Sequence, residues 1–292
     1  MPRTKLELSI FGETDVGMVR EGNEDSFIAL SDDAAPGPSN ALLIVADGMG
    51  GHLAGEVASA MAVENVVNDL RANLIDENVD IEAVFKSAVQ SANGAINEGS
   101  KKPETSGMAT TFTGALLIGH FAVFAHVGDS RAYLCRGGRT AQITKDHSWV
   151  AEQVERGTMT EEEAEQHPQR NVITRAVGIN PEVHVDTGQL ELMPEDILVF
   201  CSDGLTSYVD AKEINDVCAD YQPSEACTDL IEKAKSRGGH DNITVIVAKI
   251  TEIKLGNLSE IQERLTNQFQ NLRDLTPKIP LGDRVRKLFG RN

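Results

Sequence analysis

Residues 41–51 read ALLIVADGMGG: an apolar run from Ala41 to Ala46, then Asp47, then a cluster of glycines around Met49. A run this short, rich in branched side chains and stopped by turn residues, reads as a buried β-strand. Outward from it the same pattern recurs in TGALLIG (113–119), FAVFAHVGD (121–129), ILVFCSD (197–203) and NITVIVAKI (242–250), several of which end on an aspartate. Between RAYLC and TAQIT, Arg136-Gly137-Gly138-Arg139 supplies two glycines where a tight hairpin needs positive φ. Helical periodicity covers 54–75, 80–98, about 146–156 and 223–236. Thr160 with Glu163 predicts a capping box opening a further short helix. Strands joined as hairpins, with a few long helices beside them, imply an α+β fold of mainly antiparallel sheets covered by helices, not a βαβ alternation.

Composition narrows the function. The formal net charge of −18 sets up a field that repels phosphodiester backbones and anionic membrane surfaces, so nucleic acid is not an expected partner. Ala41–Ala46 is the longest apolar run, far short of the roughly 20 residues of a membrane span. The opening MPRTKLELSIFGE has no signal-peptide core, and a cytoplasmic location is expected. Cys135, Cys201, Cys218 and Cys227 form no C-x-x-C pair and read as buried reduced thiols; the histidines form no zinc motif. Any metal is therefore held by oxygen. A composition break falls at about 251: residues 252–292 carry eight Lys/Arg against five acids, whereas 1–251 carry 19 against 40. The expected organisation is a catalytic domain over 1–251 and a basic extension over 252–292, with Leu258, Ile261, Leu265, Phe269 and Leu272 spaced for one amphipathic helix.

Four aspartates in small-residue settings carry the chemistry: Asp25 in NEDS, Asp47 in ADGMGG, Asp203 in SDG and Asp241 in HDN, with Asp129 of GDSR as a fifth. One Asp-Gly is ordinarily just a turn. Four at strand ends point to a metal centre, because carboxylates brought together without cations repel, and divalent ions turn that repulsion into affinity. Glycines after Asp47 and Asp203 allow a sharp exit from the strand and close backbone approach. Hard oxygen donors select Mg²⁺ or Mn²⁺.

The chain resembles the metal-dependent Ser/Thr protein phosphatases of the PPM, or type 2C, family, and above all its bacterial branch. The resemblance spans about residues 8–250 through TDVGMVREGNEDS (14–26), VADGMGGHLAGEVAS (45–59), VGDSRAYL (127–134), ITKDHSWV (143–150), HPQRNVITRAVG (167–178), CSDGL (201–205) and GGHDNITVIV (238–247), in the family's order. It implies a four-layer α/β/β/α sandwich and hydrolysis of phosphoserine and phosphothreonine by a water activated between two Mn²⁺ or Mg²⁺ ions, without a phosphoenzyme. It also implies that Asp47 bridges the ions, the Gly48 carbonyl binds one, and Asp203 and Asp241 bind the other. Glu24 and Asp25 would act through waters, and Asp129 with Asp203 matches the place of a weaker third ion. Arg20 falls where the family grips the substrate phosphate, a task suited to a planar, permanently charged fork. Met49 stands where animal relatives place a general-acid histidine, so His52 is the candidate acid. Ala109 stands where relatives usually carry glycine. Residues 147–178 match a flap over the site, with Arg170 and Arg175 available to substrate, and His147 and His167 read as structural. Phosphorylated proteins are the implied substrates, products of a Ser/Thr kinase among them.

Other classes fit less well. The residues six after the cysteines are Ala141, Ser207, Ser224 and Lys233, so no cysteine-phosphatase loop exists, and no nucleotide-binding glycine motif is present. A two-metal nuclease conflicts with the acidity of 1–251. A catalytically silent binding module keeping the fold is the remaining alternative, and the intact Asp47, Asp203, Asp241 and Arg20 speak against it.

Overall fold

The computed structural model describes residues 5–50, 53–74 and 79–254. In chain order these form β1 (Lys5–Asp15), β2 (Asp25–Ser31), β3 (Ala41–Met49), α1 (Leu53–Asn73), α2 (Ile81–Gly99), β4 (Ala109–Thr110), β5 (Phe112–Ile118), β6 (Phe121–Val127), β7 (Arg131–Arg136) and β8 (Arg139–Gln142). Next come α3 (Trp149–Glu155), α4 (Glu161–Glu165), β9 (Asp186–Glu191), β10 (Ile197–Cys201), α5 (Asp203–Thr206), α6 (Ala211–Asp220), α7 (Pro223–Ser236) and β11 (Ile243–Lys254). Every pairing is antiparallel, in two sheets ordered β1-β11-β10-β7-β8 and β2-β3-β5-β6-β9, with β4 attached to β3.

The alternation of side chains along a strand explains how four layers stack. On β3, Leu42, Ile44 and Ala46 face a core shared with α1 and α2, while Ala41, Leu43 and Val45 face a second core between the sheets. On the other sheet, Leu198, Phe200, Ile246 and Ala248 enter that middle core, and Val199, Cys201, Val245 and Val247 turn outward to a third core under α6 and α7. Central strands with both faces buried read as unbroken apolar runs, which is why 41–46 is so legible. The result is the expected α/β/β/α sandwich.

The Gly137-Gly138 hairpin joins β7 to β8 with φ of 57° and 74°. Thr160 caps α4 with a reciprocal bond from Glu163. The helix expected over 146–156 starts only at Trp149, because Ser148 is extended, bridges Ile173 and caps the helix by accepting from the Ala151 N–H. β3 continues past Asp47 to Met49, paired with β4, so Gly48 is not a turn. It is a close approach: a Cβ there would lie 2.2 Å from the Gly55 carbonyl and 2.5 Å from that of Glu24. β1, β2, β9 and α6 are not evident from sequence periodicity. β11 runs to Lys254, three residues past the composition break; residues 255–292, with the expected helix at 258–273, lie outside the described residues. Among the described residues no helix is long and apolar enough to cross a membrane. All four cysteines are buried and free, and burial pushes the thiols of Cys201 and Cys227 up to about 12, which keeps them protonated and inert.

Candidate active site

Strand ends from both sheets meet at one edge of the sandwich. Asp25 opens β2 and sits opposite Asp47 of β3 in the antiparallel register. Asp129 lies in the β6–β7 turn, Asp203 opens α5 with one residue between it and β10, and Asp241 lies two residues before β11. Their charges act on one another: Asp47 is influenced by Asp25, Asp203, Asp129 and Asp241 together.

Burial, with like-charge repulsion adding to it, makes these acids hard to ionise. Asp203 is pushed up to about 6, Asp25 to about 7 and Asp129 to about 8, and Asp47 rises well above the ordinary carboxylate value. Asp25 is restrained by two donors to Oδ2, Ser202 Oγ at 2.8 Å and Thr244 Oγ1 at 2.6 Å, which pull against burial. The other oxygen, Oδ1, has no hydrogen-bond partner although buried, and neither has Oδ1 of Asp129. Buried carboxylate oxygens without partners are costly, and a divalent cation, or a water bound to one, would satisfy them. The donor set is entirely hard oxygen and suits Mg²⁺ or Mn²⁺. Among the described residues no three His, Cys, Asp or Glu side chains close round one point, so backbone oxygen and water would have to complete each coordination sphere, as these ions tolerate.

Backbone hydrogen bonds fix the aspartate on β3. Thr111 Oγ1 accepts from the Asp47 N–H at 2.9 Å, while the Thr111 N–H and Thr110 Oγ1 both donate to the Asp47 carbonyl at 2.9 Å. Asn242 staples the segment carrying Arg20 and Glu24: its Nδ2 donates to the carbonyls of Val16 and Gly22 at 3.0 and 2.9 Å, and its Oδ1 accepts from the Glu24 N–H at 2.8 Å. The Glu24 carbonyl accepts from the Gly48 N–H, and its carboxylate lies over Gly55 at the start of α1. Gly204 permits the matching approach on the other sheet, since a Cβ there would meet the Asn242 carbonyl at 2.0 Å.

Arg20 and Asp241, assigned to separate tasks by the resemblance, here hold each other: Arg20 Nη2 donates to Asp241 Oδ2 at 2.8 Å. Both side chains are open to solvent, so the pair adds little stability and is readily exchanged for other partners. Arg175, expected to be available to substrate, is instead committed to Asp186 and packed against His147. His147 is structural as expected: buried, its Nδ1 accepts from the Gly128 N–H at 2.9 Å, which ties the 147–178 segment to the turn carrying Asp129. His52 lies outside the described residues. Ser202, Thr244, Asn242 and Thr111 acquire their roles only in the folded chain; the one signal readable in the sequence is a polar residue inside an otherwise apolar strand, as Thr244 is within ITVIVA.

A family profile described as Protein phosphatase 2C matches residues 23–237. The chain belongs to the type 2C protein phosphatases. Protein phosphatase PhpP of Streptococcus pneumoniae is 37% identical over 252 residues, covering 85% of this chain and 98% of that one. Serine/threonine protein phosphatase PstP of Mycobacterium tuberculosis is 38% identical over 264 residues, 89% of this chain and 48% of that one. Among solved structures, Stp1 of Staphylococcus aureus superposes with a TM-score of 0.79 at 34% identity, covering 86% of this chain and 98% of Stp1. The PstP catalytic domain in complex with two manganese ions superposes with a TM-score of 0.73 at 36% identity, covering 84% of this chain and 99% of that domain. This type 2C phosphatase is accordingly a protein serine/threonine phosphatase of the bacterial PPM branch.

Proposed function

We propose that the enzyme hydrolyses phosphoserine and phosphothreonine in proteins by direct attack of water, using two Mn²⁺ or Mg²⁺ ions and forming no phosphoenzyme. The single observation that carries this reading is the convergence of buried Asp25 and Asp129, each with an unpartnered Oδ1, on half-buried Asp47 and Asp203. Asp47, Asp203, Asp241 and the Gly48 carbonyl would hold the pair of ions, Glu24 and Asp25 would act through water, and Asp129 with Asp203 would hold a weaker third. When bound, the ions supply charge neutralisation and a solvent molecule acidic enough to lose its proton near neutral pH.

The chain's own residues do the positioning. Arg20 leaves Asp241 for the phosphate oxygens, where its fork makes charge-assisted bonds and aligns the ester. Thr110, Thr111 and Asn242 keep Asp47 and the Arg20 segment fixed, so little reorganisation is required as charge develops. His52 is the residue we assign to protonate the leaving serine or threonine oxygen. The substrates are phosphoproteins made by Ser/Thr kinases, and the free cysteines suit a cytoplasmic, reducing location.

Turnover of phosphoserine, phosphothreonine and phosphotyrosine peptides, with Mn²⁺, with Mg²⁺ and with chelator, tests the reading. Mn²⁺-dependent release of phosphate from the first two, abolished by chelator, is the expected result. Metal-independent turnover, or cleavage of DNA in preference to peptide, would overturn it.

A further inference from the structure

Two exposed apolar side chains stand directly beside the proposed phosphate-gripping arginine: Met18 and Val19 are 63% and 60% exposed, and Arg20 comes next in the chain. Scattered exposed apolar residues need no explanation. What distinguishes these is the frame that holds them. The Met18 N–H donates to the Gly239 carbonyl at 2.7 Å, and the Gly17 N–H donates to Asp15 Oδ1 at 2.8 Å. Asn242 grips the segment on both flanks, at Val16 and Gly22. Gly17, at φ +78°, lies so close to Asp241 that a Cβ would stand 2.2 Å from the Asp241 carbonyl. The same backbone that fixes Arg20 against Asp241 thus holds two adjacent apolar side chains out in water.

A rigid apolar surface continuous with a reaction site lowers the ordering cost of whatever binds across it. A free phosphate or a small ester has nothing to place there; a polypeptide has its neighbouring side chains. We propose that Met18 and Val19 form a contact surface for the substrate chain, selecting phosphoproteins that carry a bulky apolar residue next to the phosphorylated one. Glu21 on the same segment, in a strongly acidic domain, disfavours acidic residues at those positions. The inference rests on the proposed function and narrows its substrate class.

The test compares phosphothreonine peptides that differ only in Leu against Ser at the flanking positions, with para-nitrophenyl phosphate as a substrate that has no flanks. The wild type should prefer the Leu peptide by roughly fivefold in kcat/KM, the effect of partly burying one such side chain. The double variant Met18→Ser with Val19→Ser should lose that preference, Met18→Leu should keep it, and para-nitrophenyl phosphate kinetics should stay unchanged in all of them. No preference in the wild type, a preference that survives in the double variant, or a parallel loss on para-nitrophenyl phosphate would overturn the assignment. Failure of the wild type to hydrolyse para-nitrophenyl phosphate with Mn²⁺ would instead sink the proposed function beneath it.

Discussion

Asp25, Asp47, Asp129 and Asp203 are chemically alike and physically distinct, because each meets a different mixture of burial, neighbouring charge and hydrogen-bond donors. Asp25 alone has two side-chain donors on one oxygen, Ser202 and Thr244. Replacing Ser202 by Ala or Thr244 by Val removes a donor to the charged form while leaving the charge, so Mn²⁺ affinity is expected to fall by about 10- to 100-fold with the fold intact. The Mn²⁺ dependence of activity together with the circular-dichroism spectrum checks it. Asp203→Asn or Asp241→Asn removes charge and donor strength together and should cost more than about 100-fold at low Mn²⁺. Arg20→Ala should appear in KM for small esters, by about 1.5–3 kcal/mol for a lost charge-assisted contact. It should not weaken Mn²⁺ binding, because Arg20 competes for Asp241 rather than supporting it; an unchanged KM would show Arg20 misassigned. Asp47 and Asp203 are legible in the sequence because acid followed by glycine after an apolar run is conspicuous, and Asp129 because it closes the run FAVFAHVGD. Ser202, Thr244 and Asn242 are not, since their roles arise only when β10 and β11 pair and bring residues 25, 202 and 244 together across the gap between the sheets.

At the scale of elements, legibility tracks burial. β3, β5, β6, β10 and β11 are central strands packed on both faces, and their apolar runs announce them. β1 and β2 are sheet edges whose side chains are mostly half-exposed, so LELSIFGETD and DSFIALS alternate too weakly to stand out. α6 buries only Ile214, Val217 and Cys218 among charged neighbours, yet Asp210 and Glu213 form a capping box that a search for caps would find. Because β3 serves two cores, Leu43→Ala and Ile44→Ala should each cost about 2–5 kcal/mol although they face opposite layers. Urea unfolding of the two variants measures this, and a loss confined to one would mean that the other core has room to collapse. Gly204→Ala separates stability from function. Its Cβ would press on the Asn242 carbonyl and push α5, with Asp203, away from Asp241. Overpacking of this kind costs about 1–3 kcal/mol, and the Mn²⁺ requirement should rise with it.

For the molecule as a whole, the decisive feature is that the two sheets are held face to face by a greasy middle layer while their strand ends bring acids together at one edge. Those acids make stability depend on pH and on metal in a calculable direction. Asp25, Asp129 and Asp203 titrate in the folded protein at about 7, 8 and 6, far above an unfolded aspartate near 4. Between those limits the folded state binds more protons than the unfolded one, so the contribution is complete below about pH 4 and is lost as pH rises through 6 to 8. Asp186 and Glu213 are shifted the other way, and what they contribute is lost only on acidification below about pH 4, a separate window. Chelated protein should therefore show a melting temperature that declines from pH 5 to pH 8. Mn²⁺ should reverse the decline, because binding at the deprotonated acids stabilises the folded state increasingly as they lose their protons. Thermal melts at pH 5, 6.5 and 8, with chelator and with Mn²⁺, measure both slopes. A Mn²⁺ stabilisation that is equal at pH 5 and pH 8 would mean that the acids which repel one another at this edge are not the ones that bind the ions.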